Sequence, residues 1–216
     1  MTSSRLPPSL WFGVVFLFGL LTLAYLLSLL EVKRNEVPLP VLGHIGAFTL
    51  TNQDGNPTTL TDLTNRVWVA DIIFTRCAGQ CPRMTQQMKS LEEKLPPGSG
   101  ARLVTLTTDP DYDSPVIMKR YGDRFGADFS HWTFLTGTKD AIAQLAANEL
   151  KLSSVPIKPG DQKNPVDLFI HTTIFVIVDK HAQLRGIFET GGDGVDWTNV
   201  VEPQVLGTIR RLERES

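Results

Sequence analysis

The stretch VWVADIIFTRCAGQCP, residues 67–82, decides the fold class. Val67 to Phe74 is a dense β-branched and aromatic run of the length of a strand buried on both faces. The only two cysteines of the chain, Cys77 and Cys81, follow at once, and Pro82 opens a segment in which Met84, Met88, Leu91 and Leu95 recur at offsets of four, seven and eleven. That spacing predicts a helix, ended by Pro96-Pro97. A buried strand, a cysteine loop and a helix therefore follow one another, and open α/β sheets place ligands at that strand-to-helix turn.

Outward from this unit the alternation continues. Arg102 to Thr107 reads as a strand, followed by a helix capped by Ser114 with Pro115 first and Ile117, Tyr121 and Phe125 inward. Trp132 to Leu135 reads as a strand, Thr138 to Leu150 as a helix, and Ser153 to Asp167, with three prolines, as a long loop. Thr172 to Val178 and Leu184 to Phe188 form a hairpin about the Asp179-Lys180-His181 turn, and a helix near Val200 to Arg211 closes the chain. Upstream, Phe48 to Thr51 and Thr58 to Leu60 flank an Asn-Gly-Pro cluster and predict an N-terminal hairpin. The expected fold class is an α/β layered sheet.

Before the hairpin, Leu10 to Leu30 are 21 consecutive positions without a charged side chain. As a helix this run reaches about 30 Å, the thickness of a bilayer's hydrocarbon core. It is longer than a signal-peptide core and no small-residue cleavage site follows, so it is read as an uncleaved transmembrane helix. The expected organisation is a short N-terminal segment (1–9), a transmembrane helix (10–30), a linker (31–45) and one folded domain (46–216). No Arg-rich, acid-poor leader precedes the helix, which points to a bacterial membrane.

The 216 residues carry 21 Lys and Arg against 23 Asp and Glu, a formal charge of -2, and are 42% hydrophobic. That is too apolar for a disordered chain, and the near-neutral balance lacks the basic footprint of a nucleic-acid binder.

Two thiols at a helix entrance admit three readings. A structural disulfide across so short a loop removes little unfolded-state entropy and ranks last. A redox dithiol and a soft-metal site stay open, because backbone N–H groups, the helix dipole and Arg76 favour a thiolate for either. Of the histidines, His44, His131 and His181 read as surface or satisfied residues. His171 leads the Thr172 to Val178 strand and faces the cysteine loop if that strand neighbours Val67 to Phe74. Asp71, a carboxylate inside an apolar strand, is a candidate proton donor or acceptor tuning the thiols. Met84 and Met88 read as core, and Asp109, Asp111 and Asp113 as a solvated loop beside the site that Asp109 assists.

These residues together resemble the Sco/SenC family of membrane-tethered, thioredoxin-fold copper proteins. The likeness runs from about Pro40 to Phe188. It is carried by Phe48-Thr49-Leu50 with the Asp54-Gly55 turn, Phe74 through Cys81-Pro82, Thr108-Asp109-Pro110, Trp132 through Gly137, and His171-Thr172-Thr173. Thioredoxins are similar in placing a buried aspartate at the offset of Asp71 from the first cysteine. The resemblance implies a thioredoxin-like fold and one copper ion, Cu(I) with Cu(II) open, on Cys77, Cys81 and His171. It also implies delivery to the copper domain of cytochrome c oxidase subunit II, a thiol reductant as a further partner, and a bacterial inner membrane with the domain facing the periplasm or cell exterior. The alternative is a thiol-disulfide oxidoreductase that reduces partner cysteines before metal enters. A peroxidase of the peroxiredoxin kind is set aside for want of its motif. Many family members carry proline after the first motif cysteine, where this chain has Ala78.

Overall fold

In the computed structural model the described residues are 8–34, 38–152, 154–156, 169–171 and 173–215, with side chains described for 11–26, 38–152 and 173–215. The chain divides into two compact units, Met1–Leu39 and Pro40–Ser216.

The first unit holds α1, Pro8–Arg34. Its described side chains are exposed and uncharged, and Thr22 bonds back to the Phe18 and Gly19 carbonyls of its own helix. Among the described residues no helix is long and apolar enough to cross a membrane. The helix expected over 10–30 lies within α1, and its crossing of a membrane is not among what the described residues show.

The second unit is a mixed α/β sheet of the thioredoxin-like kind. In chain order its elements are β1 (Gly43–His44), β2 (Thr49–Asn52), β3 (Pro57–Thr59), α2 (Leu60–Leu63), β4 (Trp68–Ile73), α3 (Gln80–Lys94), β5 (Arg102–Thr107), α4 (Pro115–Phe125), β6 (Trp132–Thr136), α5 (Lys139–Ala143), β7 (Ser154–Pro156), β8 (Phe169–His171), β9 (Ile174–Val178), β10 (Gln183–Glu189) and α6 (Glu202–Arg214). Eight strands form one sheet in the order β1-β10-β9-β4-β5-β6-β2-β3, and β7 pairs with β8 separately. β4 is central: it pairs in parallel with β5 and antiparallel with β9, and all six of its residues are buried. The expected hairpin is β2 and β3, which extends the sheet by pairing β2 with β6.

Several boundaries differ from the sequence reading. The helix expected from Pro82 starts at Gln80, which puts Cys81 in its first turn. The helix expected over 138–150 continues beyond α5 as a wider-wound π stretch, Gln144–Glu149, and another, Trp197–Val201, precedes α6. The linker contains β1, a two-residue strand on the edge of β10. Part of the long loop is β7, paired so that Ser154 stands opposite His171; positions 157–168 lie outside the described residues.

Both faces of the sheet are apolar. Trp68, Ile72, Leu106, Leu135 and Val176 belong to one cluster, while Trp132 stacks on Phe134 with centroids 5.0 Å apart and donates its indole N–H to Thr105 at 2.9 Å. Gly122 in α4 is required by this packing, since a Cβ there would sit 2.8 Å from the Phe129 ring and 3.0 Å from Phe134. Helix propensity favours alanine over glycine by about 1 kcal/mol, but overpacking costs about 1–3 kcal/mol. Gly122→Ala is therefore expected to lower the urea midpoint; a raised midpoint would contradict this packing.

Candidate metal centre

Cys77 and Cys81 lie beyond the carboxyl end of β4, as the sequence predicts. Neither takes part in a disulfide; Cys77 is partly buried in the loop and Cys81 is fully buried. The Cys77 N–H donates to the Phe74 carbonyl at 3.1 Å, turning the chain sharply off the strand. The Gly79 N–H donates to Cys77 Sγ at 3.3 Å, so a backbone dipole faces the outer sulfur.

The two thiols are unequal. A hydrogen bond with Cys77 first, then burial, then the charge of Cys77 push the Cys81 thiol far above its ordinary value of 9.0, against a Phe74 backbone hydrogen bond that lowers it. Cys81 therefore keeps its proton beside the outer sulfur. Such a pair, within hydrogen-bond reach, suits a soft cation that displaces the shared proton.

Asp71 lies on β4 with no exposed surface, in register with Thr105. Its charge contributes to raising both Cys81 and the buried Tyr121 hydroxyl. Tyr121 shares a 2.8 Å hydrogen bond with Thr85, whose hydroxyl donates to the Cys81 carbonyl at 2.9 Å. Met84 and Met88 are buried with Leu91, which agrees with core packing.

The reading of 109–113 as a solvated loop is corrected. Asp113 is fully buried and Asp109 nearly so, while Asp111 lies outward against Lys139. Asp113 accepts from the Thr75 N–H at 3.1 Å and from the Thr75 and Thr107 hydroxyls, while burial pushes its pKa up. It ties the cysteine loop to the end of β5. Arg76 is likewise not aimed at a sulfur: its guanidinium pairs with Asp109 and lies 4.1 Å from the Tyr112 ring centroid. Thr75, Thr107 and Asp113 were not expected as site residues; the Ser114-Pro115 helix start after Asp113 was the only signal that position 113 faces a turn.

The histidines divide as expected where their side chains are described. His44 and His181 are exposed, and His131 bonds locally to Ser130 and Asp128. The backbone of His171 ends β8, but its side chain lies outside the described residues, so its meeting with the thiols is not among them. Among the described residues no group of three or more His, Cys, Asp or Glu could hold a metal ion.

The sequence profile of the SCO1/SenC family matches residues 41–204. The chain belongs to the SCO1/SenC family. It is 31% identical over 168 residues to an SCO1 protein homolog of Bacillus subtilis, covering 77% of this chain and 79% of that protein. Among solved structures it is similar to BsSco, described as a member of the Sco family of cytochrome c oxidase assembly proteins with a disulfide switch, at 26% identity and TM-score 0.67, covering 83% of this chain and 99% of the other. It is also similar to yeast Sco1 with copper bound, at 25% identity and TM-score 0.59, covering 79% and 90%.

The raised Cys81 thiol carries a pH consequence. The folded protein holds that proton more tightly than the unfolded chain, so its contribution to stability is complete below 9.0 and is lost as pH rises above it. At pH 8, iodoacetamide is expected to modify Cys77 in the native protein and leave Cys81 unmodified, with both reacting in urea, read by peptide mass spectrometry. Equal native labelling of both would contradict the asymmetry.

Proposed function

We propose that this chain is a membrane-anchored copper metallochaperone that serves assembly of the binuclear copper centre of cytochrome c oxidase, holding its cargo copper on Cys77, Cys81 and His171. The observation that carries the reading is the pair of unbridged thiols, one outer and one buried, at the end of the central strand of an SCO1/SenC chain. Two thiolates and an imidazole suit Cu(I), and a coordination number of three leaves room for an incoming ligand from the recipient.

The backbone supports His171 as the third donor. β9 lies antiparallel to β4, and His171 is three residues before Ile174, so its Cα is within about 11 Å of that strand's first residue. The pairing from Trp68 with Val178 to Ala70 with Val176 makes the N-terminal end of β9, the end nearer position 171, run towards the carboxyl end of β4, where the cysteine loop begins. Thr173 also accepts from the Thr190 N–H, and the Thr190 carbonyl accepts from Gln87 of α3, the helix that bears Cys81. Yeast Sco1, to which the chain is similar, is described with copper bound, which supports copper as the cargo.

The uncharged run in α1 supports anchorage in a bacterial inner membrane, with the domain on the outer side where the copper domain of oxidase subunit II would receive the ion. A second reading is favoured by the unequal thiols and by the disulfide switch described for BsSco. In it the Cys77 thiolate attacks a partner disulfide, and one partner sulfur leaves as a thiolate. Cys81 then gives its proton to Asp71 and attacks Cys77 Sγ, which forms the Cys77–Cys81 disulfide and releases the second partner sulfur. A thiol reductant restores the pair. Both uses share the cysteines, and only copper needs His171.

One experiment separates them: Cu(I) titration and disulfide reduction assayed side by side on wild type, C77S/C81S, His171→Ala and Asp71→Asn. The copper reading expects one ion per chain, lost in the double serine variant and weakened by more than about 100-fold in His171→Ala, beyond what loss of an outer-sphere partner does. The redox reading expects His171→Ala to keep its reduction rate and Asp71→Asn to lose about 100-fold. Unchanged copper affinity in His171→Ala would remove it from the ligand set.

A further inference from the structure

Arg76 immediately precedes the outer thiol, and its side chain is 42% exposed yet held at two points. One guanidinium nitrogen pairs with Asp109 Oδ2, and the guanidinium lies over the Tyr112 ring. Both contacts belong to one tight turn: the Tyr112 and Asp113 N–H groups donate to the Asp109 carbonyl at 3.1 and 2.8 Å, and the Asp109 N–H donates to Thr107 Oγ1 at 3.0 Å. The turn is thus fastened to the end of β5 before Arg76 reaches it. On the other side of Cys77 the chain is differently built. Ala78, Gly79 and Gln80 are exposed, and Gly79 caps α3 without a side-chain hydrogen bond. Alanine at 78 also leaves open the φ angle that a proline would fix.

We propose that Arg76 is the positioning residue of the outer thiol: its clamp between Asp109 and Tyr112 holds the loop from the upstream side and sets how readily Cys77 swings away from a bound ion. The inference rests on the copper reading for its consequence and on the clamp geometry alone for its structural part. A guanidinium does this where an ammonium does not, because its central carbon lies over the tyrosine ring while one of its nitrogens meets the carboxylate. Loss of the clamp loosens Cys77 and speeds release, without removing a donor.

The test uses the full chain in detergent micelles, as wild type, Arg76→Ala, Arg76→Lys, Tyr112→Leu and the Arg76→Ala/Tyr112→Leu pair. Its copper arm follows the rate at which bathocuproine disulfonate removes Cu(I). Its metal-free arm follows amide exchange of Cys77 and Gly79 by NMR, with Val69 to Ile72 of β4 as the internal reference. Release is expected to rise about tenfold in Arg76→Ala and less in Arg76→Lys and Tyr112→Leu, with the double variant no faster than Arg76→Ala. Exchange is expected to rise at Cys77 and Gly79 and stay constant in β4. Loop exchange within twofold of wild type, or a rise shared equally by β4, overturns the proposal. A wild type that takes up no Cu(I) overturns the copper reading instead, and the exchange arm still decides the clamp.

Discussion

The Asp113 carboxylate joins two parallel strands at the end where the chemistry lies. It accepts from the backbone and hydroxyl of Thr75, just past β4, and from the hydroxyl of Thr107 at the end of β5. Burial raises the cost of its charge, and these three donors offset that cost, so the contact fixes a geometry more than it adds stability. With the strand end held, the chain can turn at Phe74, place Cys77 outward, and enter α3 with Cys81 turned in. The same residue ends the turn that carries Asp109 and Tyr112. One buried acid thus supports both the thiol loop and the surface to which Arg76 is fastened.

The inequality of the thiols follows from that placement. A loop residue meets solvent and the Gly79 N–H, while a residue in the first helical turn is closed in by the sheet. A partly exposed outer sulfur beside an inner sulfur that holds its proton would suit copper exchange and disulfide exchange alike. The proposed third donor, His171, would distinguish the two uses; Thr173, next to β9, is tied to α3 through Thr190 and Gln87.

Much of this was legible because the central strand is buried on both faces, so VWVADIIF announces itself without needing a period. The cysteine pair, the N-terminal hairpin and the core role of Met84 and Met88 followed from local chemistry, whereas the pairing of β4 with β9 entered the sequence reading only as a condition. Other features depend on tertiary context. Gly79 starts α3 without a capping side chain, so the helix entry could not be placed from the sequence. The π stretches have the composition of ordinary helix, and β1 is two residues long. Three aspartates in five residues looked solvated, but Asp113 and Asp109 face donors contributed by Thr75, Thr107 and Arg76, which only folding brings near. Arg76 looked like a charge for a sulfur, and Asp109 claims it instead.

The central claim is that one imidazole joins two sulfurs on a single soft ion. X-ray absorption at the copper edge of the Cu(I)-loaded full chain tests it most directly. The account predicts a three-coordinate shell of two sulfur scatterers and one imidazole nitrogen, with the nitrogen's outer-ring scattering gone in His171→Ala. A shell of sulfur alone, or one unchanged in that variant, would contradict it.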